Sequence, residues 1–231
     1  EARRRAEAGE AGPLWLMARR QSAGRGRRGR AWDGGQGNLT ATLLTTVDRQ
    51  PLEAAQLAFL AALAVGDLAR AYVRAEILGY KWPNDVLLEG RKTAGVLIES
   101  GPARAGGLWI AVGVGVNLAT YPQGVERPAT AFAQHGATPT PDEALERLAA
   151  AFADRFDLWL EQGFQPVQQA WLERAVGMGG DCTARLPSET VRGIAEGLDA
   201  DGALLIRLPD GAQRRITAGD VFFEARSGSG H

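Results

Sequence analysis

Leu108-Trp-Ile-Ala-Val-Gly-Val-Gly-Val-Asn117 is the stretch that decides the architecture. Successive side chains of a strand point to opposite faces, so Leu108, Ile110, Val112, Val114 and Val116 form one apolar face that must lie on a core. The other face carries Ala111, Gly113, Gly115 and Asn117. Glycine inside a strand weakens it and marks close approach of a ligand or of another backbone. A floor bare of side chains and ending in an amide suits a nucleotide, with Asn117 bonding base or ribose. A helix packed tightly over the glycines would give the same pattern.

Upstream, 77–82, 86–88 and 93–99 read as strands, the last two joined as a hairpin through Glu89-Gly90-Arg91. Pro83 in Lys81-Trp-Pro-Asn-Asp85 has no N–H for a central ladder, so the first of these strands must end or bulge there. That leaves Asn84 and Asp85 at a strand end, a common address for binding groups. Asp85 is a candidate magnesium ligand, since that ion prefers one or two carboxylates plus substrate phosphates. Lys81 and Lys92 are the only lysines among 26 basic residues. A compact ammonium is not equivalent to a guanidinium fork, so the pair is a place to look for chemistry, with both expected to face one site. Solvated surface cations on a structural hairpin are the plainer reading.

Further upstream stands Gln21-Ser-Ala-Gly-Arg-Gly-Arg-Arg-Gly-Arg-Ala-Trp32. Gly24, Gly26 and Gly29 let the backbone curl close to a ligand. Arg25, Arg27, Arg28 and Arg30 supply forked donors for phosphate and carboxylate oxygens. Trp32 offers a flat face for a purine, worth about 1–3 kcal/mol per stacked base. An RNA-gripping segment is the alternative, but the run is short, sits between two expected strands, and belongs to a chain of net charge −1.

The remaining pattern sets these stretches in an α+β chain. A helix is expected over 2–8, strands over 14–18 and 38–47, an alanine-rich helix over 51–74, a surface loop over 119–140, and helices over 142–162 and 166–175. After Gly177-Met-Gly-Gly180, short strands over 182–186, 191–198, 204–208, 214–217 and 221–223 suggest a small β-barrel. The domains are therefore expected at 1–177 and 178–226, with a disordered tail at 227–231. The 231 residues suffice for a real core, and one cysteine, Cys182, excludes an internal disulfide framework. No signal peptide and no apolar run of membrane-spanning length is read, so a cytoplasmic location is expected.

Taken together, GRGRRGRAW, KWPND, RKTAGVLIE and GVGVN, in this order over most of residues 14–118, resemble biotin–protein ligases. The stretches GIAEGLDADGALLI and ITAGDV are similar to the small barrel that ends those enzymes. The resemblance implies a mixed β-sheet with helices, related to class II aminoacyl-tRNA synthetases, followed by an SH3-like β-barrel. It implies that biotin and ATP give biotinyl-5′-AMP, and that the biotinyl group then passes to a lysine of the biotin carboxyl carrier of acetyl-CoA carboxylase or a related carboxylase. From charge and hydropathy no nucleic acid and no membrane is expected as partner, and the chain is expected as a monomer or homodimer. Gln21, Gly24, Arg25, Gly26 and Arg27 would contact biotin and its adenylate, with Lys92, Gly95, Gly113 and Gly115. Arg27, Arg30, Trp32, Lys81, Asn84 and Asn117 would hold the nucleotide. Lys92, Arg25 and Arg27 would be catalytic, Lys92 bridging the biotin carboxylate and the α-phosphate, with Mg2+ at Asp85.

Carboxylate attack on a phosphate brings two anions together, so fixed cations are what the chemistry demands and no protein nucleophile is needed. His135 and His231 receive no role. The family's Ser-Thr-Asn biotin segment would lie just ahead of Glu1, and no helix-turn-helix precedes the motifs, so a repressor role is not expected. A lipoate or octanoate ligase or transferase of the same fold is the rival that GRGRRGR and KWPND disfavour.

Overall fold

The computed structural model describes residues 1–224; the Gly/Ser tail, His231 and the last residues of the expected barrel lie outside them. A six-stranded sheet, in the order β1-β2-β6-β5-β4-β3, forms the larger part. It comprises β1 (Leu14–Met17), β2 (Leu39–Val47), β3 (Leu78–Lys81), β4 (Asp85–Leu88), β5 (Arg91–Pro102) and β6 (Leu108–Val116). All its strand pairs are antiparallel. Among the described residues the parallel pairings are two single bridges, Tyr80 with Ala175 and Lys92 with Ala129. Short turns join β3 to β4, β4 to β5 and β5 to β6, which makes these three pairs antiparallel, because parallel neighbours need long crossovers.

The deciding strand behaves in two halves. Ile110, Val112, Val114 and Val116 are buried on the core face. On the opposite face, α1 (Ala2–Glu7) covers Trp109 and Ala111 through Ala2 and Ala6, while Gly113 and Gly115 stay partly open. The helix thus covers the Trp109–Ala111 half and not the glycines, and the group set against Gly115 is the ring of Trp32.

The core face is covered by α2 (Pro51–Ala54) and α3 (Leu57–Arg70), so the helix expected over 51–74 is interrupted at 55–56 and stops earlier. Alanines at 61, 62, 64 and 69 let α3 approach the sheet, and all are fully buried. By length and composition alone, Pro51–Arg70 is apolar enough to cross a membrane, which amends the expectation of no such run. Here 78% of its most apolar window is buried inside the fold. On its other side lies α4 (Pro141–Gln162), which places Ala144, Leu148, Phe152 and Trp159 in the core. It starts from a capping box in which Thr140 Oγ1 accepts the Glu143 N–H and Glu143 accepts the Thr140 N–H.

After α5 (Gln165–Leu172) comes a second antiparallel sheet, ordered β10-β9-β8-β7-β11. Its strands are β7 (Asp181–Arg185), β8 (Thr190–Leu198), β9 (Leu204–Arg207), β10 (Gln213–Ile216) and β11 (Asp220–Phe223), consistent with an SH3-like fold. One hydrophobic cluster runs through both sheets, from Leu60 and Val112 to Ala184, Ile206 and Val221. Trp82 Nε1 donates to Gly202 O at 3.0 Å across the junction. The linker also shields the outer edge of β3: Tyr80 N–H donates to Arg174 O, and Val176 N–H to Tyr80 O.

Candidate active site

A cavity of about 730 Å³ opens over Gly113 and Gly115, between the arginine-rich loop, the β3–β4 turn and the start of β11. Gln21, Arg25, Gly26, Arg27, Arg30 and Trp32 line it from the loop. Asn84, Asp85, Lys92, Gly95, Gly113, Gly115 and Asn117 line it from the sheet. The three sequence stretches thus converge on one space.

The arginine loop is not irregular throughout. Arg25 and Ala31 form a bridge, Arg27–Gly29 make one 3-10 turn, and Arg28 takes φ 58° inside it. Gly24 does not line the cavity; it serves the loop itself. Trp32 N–H donates to Gly24 O at 3.0 Å, and a Cβ on Gly24 would stand 2.2 Å from Trp32 O. Trp32 is thereby seated against the floor, where a Cβ on Gly115 would lie 2.4 Å from its ring. Its Nε1 is buried without a partner.

The β4–β5 hairpin presents Lys92 through a bulge. The register moves from Val86 opposite Ala94 to Leu87 opposite Lys92, which leaves Thr93 as the extra residue. Thr93 O then accepts the Asn117 N–H at 2.8 Å. The Lys92 backbone is held from its other side, its N–H donating to Pro128 O and its O accepting the Thr130 N–H. Segment 119–140 is therefore no plain surface loop: Thr130, Ala131 and Phe132 are fully buried. Lys92 Nζ bonds Asp85 Oδ1 and lies 5.6 Å from the Trp32 ring centre. Asn117 Nδ2 donates to Thr130 O at 3.0 Å, while its Oδ1 is buried and unpaired.

Burial pushes the Arg27 guanidinium down from its ordinary value, against the pull of Asp220 and Asp85. Its Nη1 donates a long hydrogen bond to Asn84 Oδ1 at 3.5 Å. Arg25 faces Glu99 at 3.8 Å. Arg28 and Arg30 both bond the carboxylate of Asp220 in β11. Burial opposes ionisation of Asp220, but the bond from Arg30 and the charges of Arg30, Arg127 and Arg28 outweigh it and hold this carboxyl below its usual range.

Lys81 corrects the expectation that both lysines face the cavity. It is not in the lining; its ammonium sits 5.8 and 5.9 Å from the rings of Phe222 and Phe223. Burial lowers its pKa, and the Arg127 charge adds to that. Asp85 corrects a second one. It is 4% exposed, bonded to Lys92, and faces Arg127 Nη1 at 3.7 Å. Among the described residues no group of three His, Cys, Asp or Glu side chains is arranged for a metal ion. One carboxylate already matched by two cations does not fit a resident magnesium.

Two residues escaped the sequence reading. Arg127 enters the cavity from the pinned 119–140 segment, and Asp220 comes from the second sheet. Arg127 carries no motif signal, and Asp220 stands in the ITAGDV stretch read only as part of the barrel; the fold brings both to the cavity.

Residues 8–117 match the biotin/lipoate A/B protein ligase family, and residues 179–224 match the biotin protein ligase C terminal domain. A biotin–[acetyl-CoA-carboxylase] ligase of Paracoccus denitrificans is 45% identical over 223 residues, covering 93% of this chain and 92% of that protein. A bifunctional ligase/repressor BirA of Bacillus spizizenii is 32% identical over 88% of this chain, which spans 64% of that longer protein. The Aquifex aeolicus biotin protein ligase, solved with biotin and ATP, shares the fold with a TM-score of 0.80. It is 24% identical and the match covers 96% of this chain and 94% of that one.

Proposed function

Because the chain belongs to the biotin/lipoate A/B protein ligase family, we propose that it joins biotin to a lysine of a carboxylase carrier domain by way of biotinyl-5′-AMP. The carrying observation is convergence: Lys92, Arg27, Trp32, Asn117 and the glycines of β6 line one cavity. Gln21, Arg25, Gly26 and Gly113 are assigned to biotin. Trp32, Asn84 and Asn117 are assigned to the nucleotide, where the unpaired Asn117 Oδ1 suits an amino group of the base; Gly95 and Gly115, expected at biotin, lie against the Trp32 ring and are reassigned with it. Asp85 is assigned to hold Lys92, and no protein site is assigned to magnesium.

A biotin carboxylate oxygen attacks the α-phosphorus, the bond to the β-phosphate oxygen breaks, and its electron pair leaves with pyrophosphate. Lys92, set between the two reacting anions, offsets their repulsion and the charge that develops; Arg27 and Arg30 close over the phosphate. Guanidinium and ammonium groups fixed before reaction need no reorganisation during it, which is where such sites gain most of their rate. The carrier amine then attacks the mixed anhydride and AMP leaves. Magnesium-supported, biotin-dependent exchange of pyrophosphate into ATP tests the reading. Exchange with lipoate or octanoate but not with biotin would replace it with the rival acyl group; no exchange with any acid would remove it.

A further inference from the structure

We propose that Arg127 is a binding residue for the β,γ-pyrophosphate of the nucleotide, a part of the site that none of the recognisable motifs supplies. The inference rests on the adenylating reading above. Arg127 lines the cavity between two acidic groups, with Nη1 3.7 Å from Asp85 and Nη2 3.5 Å from Asp220. Neither approach makes a hydrogen bond, and its Nε and Nη2 are buried with no partner. Leaving such donors unmatched costs free energy, so a cavity-lining guanidinium in this state calls for an anion. Its plane is already fixed, because the guanidinium carbon lies 4.8 Å from the ring centre of Phe222.

The position selects the leaving group. Trp32 and Asn117 mark the base, and Lys92, beside Trp32, marks the α-phosphate. Arg127 is linked to Lys92 through Asp85 and to Arg28 and Arg30 through Asp220. Asp85 and Asp220 thus join Lys92, Arg127, Arg30 and Arg28 into one chain of ion pairs that ends on β11 of the second sheet. A triphosphate is a chain of anions that such linked cations suit. Asp220 occupies the place of the terminal phosphates among these arginines, and phosphate oxygens take over its contacts when the nucleotide binds. In the reaction the electron pair released from the α-phosphorus bond settles on pyrophosphate, next to this guanidinium; no proton or further reactant is required.

The test uses Arg127→Gln and Arg127→Lys in the whole chain, with thermal melts to verify folding. For Arg127→Gln the KM values for ATP and for pyrophosphate should rise about tenfold or more, as loss of a charge-assisted bond predicts. Transfer of biotin from preformed biotinyl-adenylate to the carrier should stay within about twofold, because pyrophosphate has already gone. Arg127→Lys should fall between, keeping charge and losing the fork. Unchanged pyrophosphate KM, or equal slowing of both half-reactions, overturns the proposal in favour of a structural role. A parent protein without biotin-dependent exchange overturns the ligase reading, and this assignment with it.

Discussion

The indole of Trp32 rests on Gly115 so closely that no other residue fits beneath it: a Cβ there would come within 2.4 Å of the ring. Gly115→Ala should lift or tilt the indole while leaving the strand intact, since the backbone at Gly115 is ordinary. We expect the KM for ATP to rise about tenfold, within the range of a lost base stack. An unchanged KM with an unchanged melting curve would show that the indole has no part in nucleotide binding.

Lys92 and Asp85 should separate chemistry from stability. Lys92→Ala should slow adenylate formation about a hundredfold or more in single-turnover assays, as loss of an electrostatic group does. It should also lower the melting temperature, because Asp85 is nearly fully buried and loses the ammonium it bonds, keeping the longer approach of Arg127 at 3.7 Å. Adding Asp85→Asn should restore stability but not rate. Recovery of both would mean that the lysine merely neutralises its neighbour.

Arg27 makes one long contact to Asn84 and is otherwise free to act on a ligand. Arg27→Gly should release biotinyl-adenylate about ten- to a hundredfold faster, equivalent to about 1.4–2.8 kcal/mol of a charge-assisted contact. Rapid-dilution measurements giving equal off-rates for variant and parent would refute the clamp.

The ion pairs of Asp220 give an acid-side signature. Its folded pKa is depressed, so the contribution of these pairs is complete above the ordinary value of 3.8 and is lost as the pH falls through the lower folded value. The stability difference between the parent and Asp220→Asn should therefore stay constant down to about pH 5 and shrink below about pH 4. A difference that changed around neutrality would point to another titrating group.

Thr140→Ala removes one side of the capping box of α4 and should cost about 1 kcal/mol, a fall of about 2–4 °C in melting temperature, with both half-reactions unaffected. A matching loss of activity would tie this helix to the site.

Much of this arrangement is legible in the order of residues. The alternation in 108–117 separates core from floor, Pro83 ends a strand as expected, and the arginine loop lies over that floor. What escapes has a common cause. Lys81 is diverted to Phe222 and Phe223, and Arg28 and Arg30 to Asp220, all of them partners far along the chain. Segment 119–140 looks like a loop because its Pro, Thr and Gly content hides a pairing with Lys92 that only a bulge in β5 makes available. Local patterns report faces and turns; they are silent about tertiary partners.

The carboxylate that secures Arg30 stands 190 positions later in the chain. During translation, then, the catalytic motifs emerge long before the group that organises them. A nascent polypeptide with the four upstream motifs already made would still lack the carboxylate that Arg28 and Arg30 bond, which arrives only with β11. The ion pairs of the basic loop are completed last, by a strand of the second sheet.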